Sequence, residues 1–357
     1  MTGTVRTTTL GVTLNGNTVT QPLSARVSIG YDLSYAEATV VCASIPSGSY
    51  YDPLVINMNG STRFSGVLAQ KDFSLYPRAI TLVGRGNLWK AAKYRLDDET
   101  VNPETGLSLL ELLGASSGTD EEIVTAVLNR VGLSGSISGT GRTLGTIAPE
   151  EYAWRINETA LDYIQRLDRI CLGYRTFETL AGSIFRSQIT SRPSAASSMT
   201  FEEGVDISDG GASRSVQEAF NAVRVGGYAV GDYLDPRVYY VESSNDFQGG
   251  GNPNAVFTLE SPMIERKDEA SAGEGISCEV VADYWLHELN REIVKVTLTT
   301  PRDDDVGPGQ LHTVQGPAGA ADRLGTGEKM WVQRVDVSID QSGAFSQQIT
   351  YIGGNIE

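Results

Sequence analysis

Two Asn-Gly dipeptides, Asn15-Gly16 and Asn59-Gly60, each stand between runs in which apolar and polar residues alternate. A two-residue type I′ hairpin turn needs positive φ at both central positions, and Asn-Gly meets that need better than other pairs. The dipeptides therefore set two hairpins, and with them the register of the strands on either side. Around them Thr4–Leu14, Ala25–Tyr31, Glu37–Ser44, Leu54–Met58 and Thr62–Ala69 read as half-buried strands. Ser74–Tyr76 and Ala79–Gly84 follow, split by Pro77. So many short strands within residues 1–93 predict a small barrel or sandwich.

The pattern changes over residues 94–212, which read as a mixed α/β domain. Leu107–Leu113 is a short apolar helix, and a second begins at Thr119, carries Ile123, Val124, Val127 and Leu128, and stops at Gly132. Its centrepiece is Asn157–Ser187. Asn157 is the expected N-cap, with Glu158 in the first turn. Ala160, Ile164, Leu167 and Cys171 form one buried face, and Gly173 closes the helix. Two strands, Tyr174–Phe177 and Ser183–Ile189, turn at Ala181-Gly182. Residues 213–357 return to β character with Phe220–Tyr228, Val238–Val241, Glu292–Thr299, Leu311–Val314, Trp331–Ile339 and Ala344–Ile352, interrupted by one helix at Ile276–Asn290. The stretch Glu242–Asn254 has no periodicity and reads as a loop. The expected fold is β-rich α+β: two small β modules flank a mixed α/β domain, an order compatible with internal duplication.

Charge narrows the function classes. With 44 acidic against 28 basic residues the net charge is -16, which argues against a broad grip on nucleic acid. No run of about 18 apolar residues offers a membrane span, and MTGTVRTTTLGVTLNG lacks the apolar core of a signal peptide. Cys42, Cys171 and Cys278 are odd in number and far apart, so they read as buried thiols of a protein made in a reducing cytoplasm.

The inventory of reactive groups leads to no catalytic, cofactor or metal residue. His287 lies in HELNRE without the second histidine of a zinc-protease helix, and His312 has no acidic or cysteine partner at ligand spacing. Asp303-Asp304-Asp305 lacks the alternation of a calcium loop and reads as an exposed acidic turn, as do Glu202, Glu203 and Asp206. Val83-Gly84-Arg85-Gly86 continues as Asn-Leu-Trp-Lys, without the third glycine of a dinucleotide cradle. Trp89, Trp154, Trp285 and Trp331 fall in different elements, which favours packing over a sugar-stacking face.

Several pieces, taken in order, resemble phage tail baseplate hub proteins, the late control protein D group among them. RFSGVLAQKDFSLYPRAITLVGRGNLWKA (Arg63–Ala91) resembles the family's first barrel, and Asn157–Ser187 its helix–hairpin unit. FNAVRVGGY is similar to the strand re-entering the barrel region. The helix Ile276–Asn290, EIVKVTLTTP, the loop at Gly307-Pro308-Gly309 and QRVDVSIDQSGAFSQQITYIGG resemble the close of its second tube-like barrel. The resemblance implies two tube-like β-barrel domains, 1–93 and 213–357, flanking the α/β domain at 94–212. It implies a homotrimer at the tip of a virion tail, joining the tail tube protein and other distal tail or baseplate proteins to a spike or fibre. Tape-measure protein and DNA would pass through its lumen, and no enzymatic activity is implied. Receptor or carbohydrate binding is the alternative, and a cell-wall hydrolase using paired carboxylates the third.

Overall fold

At Asn15-Gly16 the φ angles are 50° and 75°, and at Asn59-Gly60 they are 53° and 84°. Both dipeptides thus close the hairpins that the sequence calls for, Leu14 facing Asn17 and Met58 facing Ser61. The computed structural model describes residues 9–44, 46–75, 78–97, 101, 106–115, 118–144, 154–190, 196–202, 204–215, 222–228, 238–243, 256–265, 278–289, 293–315 and 328–353.

The described chain is β-rich with few helices, and most of its strands belong to one 13-stranded, largely antiparallel sheet. The N-terminal strands Pro22–Gly30, Glu37–Cys42, Arg78–Arg85, Ser61–Leu75, Pro53–Met58 and Leu10–Leu14 lie side by side in that order. The last strands run Glu328–Ile339, Phe345–Ile352, Ile293–Thr300 and Asp209–Ser215. The two groups are fused. Pro22–Gly30 pairs antiparallel with the second half of Glu328–Ile339, from Gly30 opposite Arg334 to Ala25 opposite Ile339. The first half of Glu328–Ile339 pairs instead with Leu311–Gln315, and the ladder to Phe345–Ile352 shifts register between Val332 and Arg334. A bulge at this point bends one long strand so that it serves two neighbours.

Alternation along the strands explains the sheet's buried face. In Glu37–Cys42, Ala38, Val40 and Cys42 are buried between exposed Glu37 and Thr39, and Leu54, Ile56 and Met58 repeat the pattern. These residues share one core with Val294, Val296, Leu298, Val335, Val337 and Ile349 from the far end of the chain.

A second core belongs to the helices. They are α1 (Leu88–Lys93), α2 (Leu109–Leu113), α3 (Asp120–Arg130), α4 (Ala160–Ile170) and α5 (Cys278–Leu289). The sequence places the N-cap of α4 at Asn157, but Thr159 caps it: its hydroxyl accepts from the Asp162 N–H while the Asp162 carboxylate accepts from the Thr159 N–H. Two orphan N–H groups are satisfied at once, which an asparagine two residues upstream cannot do. Thr119 and Glu122 form the same box on α3. The hairpin Tyr174–Glu178/Ile184–Gln188 follows α4 after Gly173 at φ 81°, and Gly135–Ile137 adds to it in parallel. Val281, Ala282 and Leu286 of α5, with Val223 and Val225 of the strand Ala222–Tyr228, share this second core with α3 and α4. Of the expected loop at 242–254, residues 242 and 243 end the strand Val238–Ser243 and the rest lies outside the described residues.

Candidate functional site

The fold buries three clusters of charged groups, two of them where its parts meet. Arg63, on an inward position of Ser61–Leu75, has no exposed side-chain surface. Its Nη2 donates to Asp303 Oδ1 at 2.5 Å, and its Nη1 to the Asp304 carbonyl at 3.1 Å and to Asp305 Oδ1 at 3.3 Å. Arg302 in turn pairs with Asp304 at 2.6 Å and Asp206 at 2.9 Å. The acidic run is therefore not simply the exposed turn that the sequence suggests. Asp305 is open to water, but Asp303 clamps a buried guanidinium from the other end of the sheet.

Glu178 ties the helical part to the first strands. Buried at the end of Tyr174–Glu178, its Oε2 accepts from the Ala36 N–H at 2.8 Å and its Oε1 from the Leu88 N–H at 2.5 Å. Burial pushes its carboxyl up to about 7, against the pull of the backbone donors at Ala36, Leu88 and Asn87. This contact also explains the Gly-x-Gly in the sequence. A Cβ on Gly86 would lie 1.9 Å from Glu178 Oε2, and one on Gly84 would press on Leu54 and Phe64 at 2.8 Å. Close packing, not a phosphate, demands these glycines.

A third cluster lies inside the helical part. Arg186 donates through Nε to Asp168 Oδ1 at 2.7 Å and through Nη1 to Asp120 Oδ2 at 2.6 Å, with all three side chains buried. Burial opposes the charge on Arg186, but Asp168, Cys171 and Asp120 outweigh it and raise its pKa. Burial is also the largest influence on Asp168 and raises its carboxyl despite Arg186. The Tyr174 ring lies 4.8 Å from the guanidinium carbon.

Other residues singled out in the sequence are scattered. His312 is buried between Tyr351 and Gln310, its Nδ1 2.9 Å from the Tyr351 hydroxyl, and burial lowers its pKa to about 4. The side chain of His287 and residue Glu203 lie outside the described residues. The four tryptophans share no face: Trp154 is in the second core with its N–H on the Glu158 carbonyl, Trp285 reaches the Arg169 carbonyl, and Trp331 the Thr190 carbonyl. Trp89 stacks beside Tyr51 at 5.5 Å. The three cysteines are free and buried, and burial pushes Cys42 up to about 11 and Cys278 up to about 12. Among the described residues no cluster of three metal-ligating side chains occurs, and no helix is long and apolar enough to cross a membrane. A groove of about 600 Å³ beside α1 is lined by Lys90, Asn87 and Phe185.

Arg63, Asp120, Asp168, Glu178 and Arg186 are not visible as a site in the sequence, yet three carry a common signal. Arg63 and Arg186 occupy inward positions of alternating strands, and Asp168 stands four residues after Ile164 on the apolar face of α4. A charge where the period demands an apolar residue announces a buried partner.

No family model matches the sequence, and no curated protein does either. Solved structures do match over nearly the whole chain. A tail protein from Neisseria meningitidis MC58 superposes with a TM-score of 0.64 at 11% identity, covering 97% of this chain and 96% of its own. The 43 kDa tail protein of prophage MuSo2 from Shewanella oneidensis gives 0.63 at 12% identity, with 96% and 98% covered. Prophage tail protein gp18 from Listeria monocytogenes EGD-e gives 0.60 at 11%, with 97% and 94% covered. The chain has the fold of these phage tail proteins, as the resemblance read from its sequence implies.

Proposed function

We propose that this protein is a structural component of a phage tail, a baseplate hub built as a homotrimer. The observation that supports the reading is the antiparallel join of Pro22–Gly30 to Glu328–Ile339, which brings strands from both ends of the chain into one sheet; in this reading each end supplies one β module. Three such chains would present six modules to a sixfold tail tube and three equivalent faces to a spike or fibre. In this reading residues 1–93 and 213–357 supply the tube-like barrels, and 94–212 the α/β domain between them. Its partners are the tail tube protein, distal tail or baseplate proteins, the spike or fibre, and the tape-measure protein. DNA would pass through the lumen without specific binding, because an excess of carboxylates repels phosphate. The role is structural and requires no catalytic, cofactor or metal residue, and it places the protein at the tail tip of the virion.

Light scattering on the purified protein, followed by electron-microscope class averages, tests this. A threefold ring with an open centre is the expected result. A monomer at high concentration, with and without tube protein, would overturn it and move receptor or carbohydrate binding to the front.

A further inference from the structure

The two Asn-Gly turns are alike in backbone but unlike in the grip on their asparagine side chains. Asn15 and Asn59 are both exposed and both at positive φ. A Cβ added at Gly16 or Gly60 would meet nothing within 4 Å, and neither glycine N–H donates to an acceptor among the described residues. At Asn59 the carboxamide is held from both ends. Its Oδ1 accepts from the Thr9 N–H at 3.0 Å, and its Nδ2 donates to Asp303 Oδ2. Asp303 is itself fixed, because its Oδ1 holds the buried Arg63. At Asn15 only the main chain is bonded, its N–H to the Pro53 carbonyl at 2.8 Å and its carbonyl to Asn17 Nδ2 at 3.2 Å. The Asn15 carboxamide has no hydrogen-bond partner among the described residues.

An asparagine followed by glycine carries its own nucleophile. The glycine nitrogen attacks the side-chain carbonyl carbon, and the new C–N bond closes a five-membered succinimide. The Cγ–Nδ2 bond breaks, and Nδ2 leaves as ammonia with the glycine's amide proton. Water then adds to either ring carbonyl and reopens the ring. One opening gives aspartate; the other gives isoaspartate, in which the main chain runs through the β-carbon. No electrons change hands: one water is consumed, one ammonia is released, and a carboxylate replaces a neutral amide. Glycine, without a side chain, leaves the attacking nitrogen open to close approach in both turns. The rate is then decided by whether the carboxamide is free to turn onto that nitrogen.

We infer that Asn15 is a site of spontaneous deamidation in the folded protein, and that Thr9 and Asp303 protect Asn59 from the same reaction. An exposed side chain without partners changes rotamer on the picosecond to nanosecond scale. Asn59 must first give up two hydrogen bonds, one of them to a carboxylate. Loss of the charge-assisted bond alone slows the reaction by about tenfold or more. Neither step depends on a role in a tail.

Position in the sheet makes the change at Asn15 tolerable. Leu10–Leu14 pairs along its whole length with Leu54–Met58, so its register survives a turn lengthened by one backbone atom. At Asn59 the product carboxylate would instead face Asp303.

The full chain, kept folded at mildly alkaline pH and sampled over time, tests this by peptide mass spectrometry with electron-transfer fragmentation, which separates aspartate from isoaspartate. Asn15 should become a mixture of the two about tenfold or more faster than Asn59. In urea the clamp is gone, and the two rates should come close together. Equal rates in the folded protein, conversion of Asn59 first, an intact Asn15, or a rate ratio that persists in urea would each overturn the inference. Asn59→Asp should also lower the midpoint of urea unfolding where Asn15→Asp does not. Equal midpoints would remove the clamp, and the inference with it.

Discussion

Arg63 Nη2 and Asp303 Oδ1 meet at 2.5 Å across 240 residues of chain, and the two partners are unequal: the arginine has no water contact, while the Asp303 side chain is 18% exposed. That inequality orders the cost of breaking the pair.

Asp303→Ala leaves a buried guanidinium with its nearest carboxylate gone, and the expected loss is roughly 3 kcal/mol. Arg63→Met leaves carboxylates that can turn toward water and fills similar space, so it should cost clearly less. The midpoints of urea unfolding for the two variants check the order, and equal losses would remove the argument from burial.

Glu178 should make stability depend on pH in an unusual direction. Its folded carboxyl titrates at about 7, above its ordinary value of 4.5, so between these values the folded state binds a proton that the unfolded chain does not. The contribution is fully present below 4.5, is lost as pH rises to about 7, and is flat above. Across that window it amounts to at most ~3 kcal/mol. Thermal midpoints of the parent and Glu178→Gln, compared from pH 4.5 to 8, should diverge with this sign.

Gly86→Ala tests the same contact sterically. A methyl group 1.9 Å from Glu178 Oε2 must displace the carboxylate from the Ala36 and Leu88 N–H groups. A destabilisation of about 2 kcal/mol or more is expected. Combining it with Glu178→Ala should cost less than the sum of the single changes, as measured in a double-mutant cycle.

The buried Arg186 should be the most sensitive charged residue of the helical part. Arg186→Met strands Asp120 and Asp168 without a counter-charge and should cost roughly 3–5 kcal/mol. Replacing all three with apolar residues should recover much of that loss. Hydrogen exchange in α4 provides the local readout, since the Asp168 carboxylate also holds the Thr176 N–H at 2.8 Å.

Local rules carried much of the fold. Asn15-Gly16 and Asn59-Gly60 dictate their turns because few other residue pairs tolerate two positive φ angles. The apolar face of α4 and the hairpin after it follow from period alone. The cap of α4 was harder to read, since Asn157 and Thr159 are both good capping residues and only the reciprocal Asp162 contact decides between them. The join between Pro22–Gly30 and Glu328–Ile339 left no local mark, because alternation says which face of a strand is buried but not which strand lies beside it. The clamp on Arg63 was hidden for the same reason: three consecutive aspartates look like a solvated turn until a partner from a distant strand is placed beneath them.

That join also sets a clock. Ser28 donates its hydroxyl hydrogen to Asp336, 308 residues later, so this edge of Pro22–Gly30 has no partner until Glu328–Ile339 has left the ribosome. At synthesis rates of about 5–20 residues per second, the wait lasts on the order of 15–60 s. For that time a nascent N-terminal module is a half-made sheet with an adhesive side, exposed to other nascent chains and to chaperones. The strand Glu328–Ile339 quenches that side when it docks, so the chain withholds this surface from its neighbours until residues more than 300 positions later have been made.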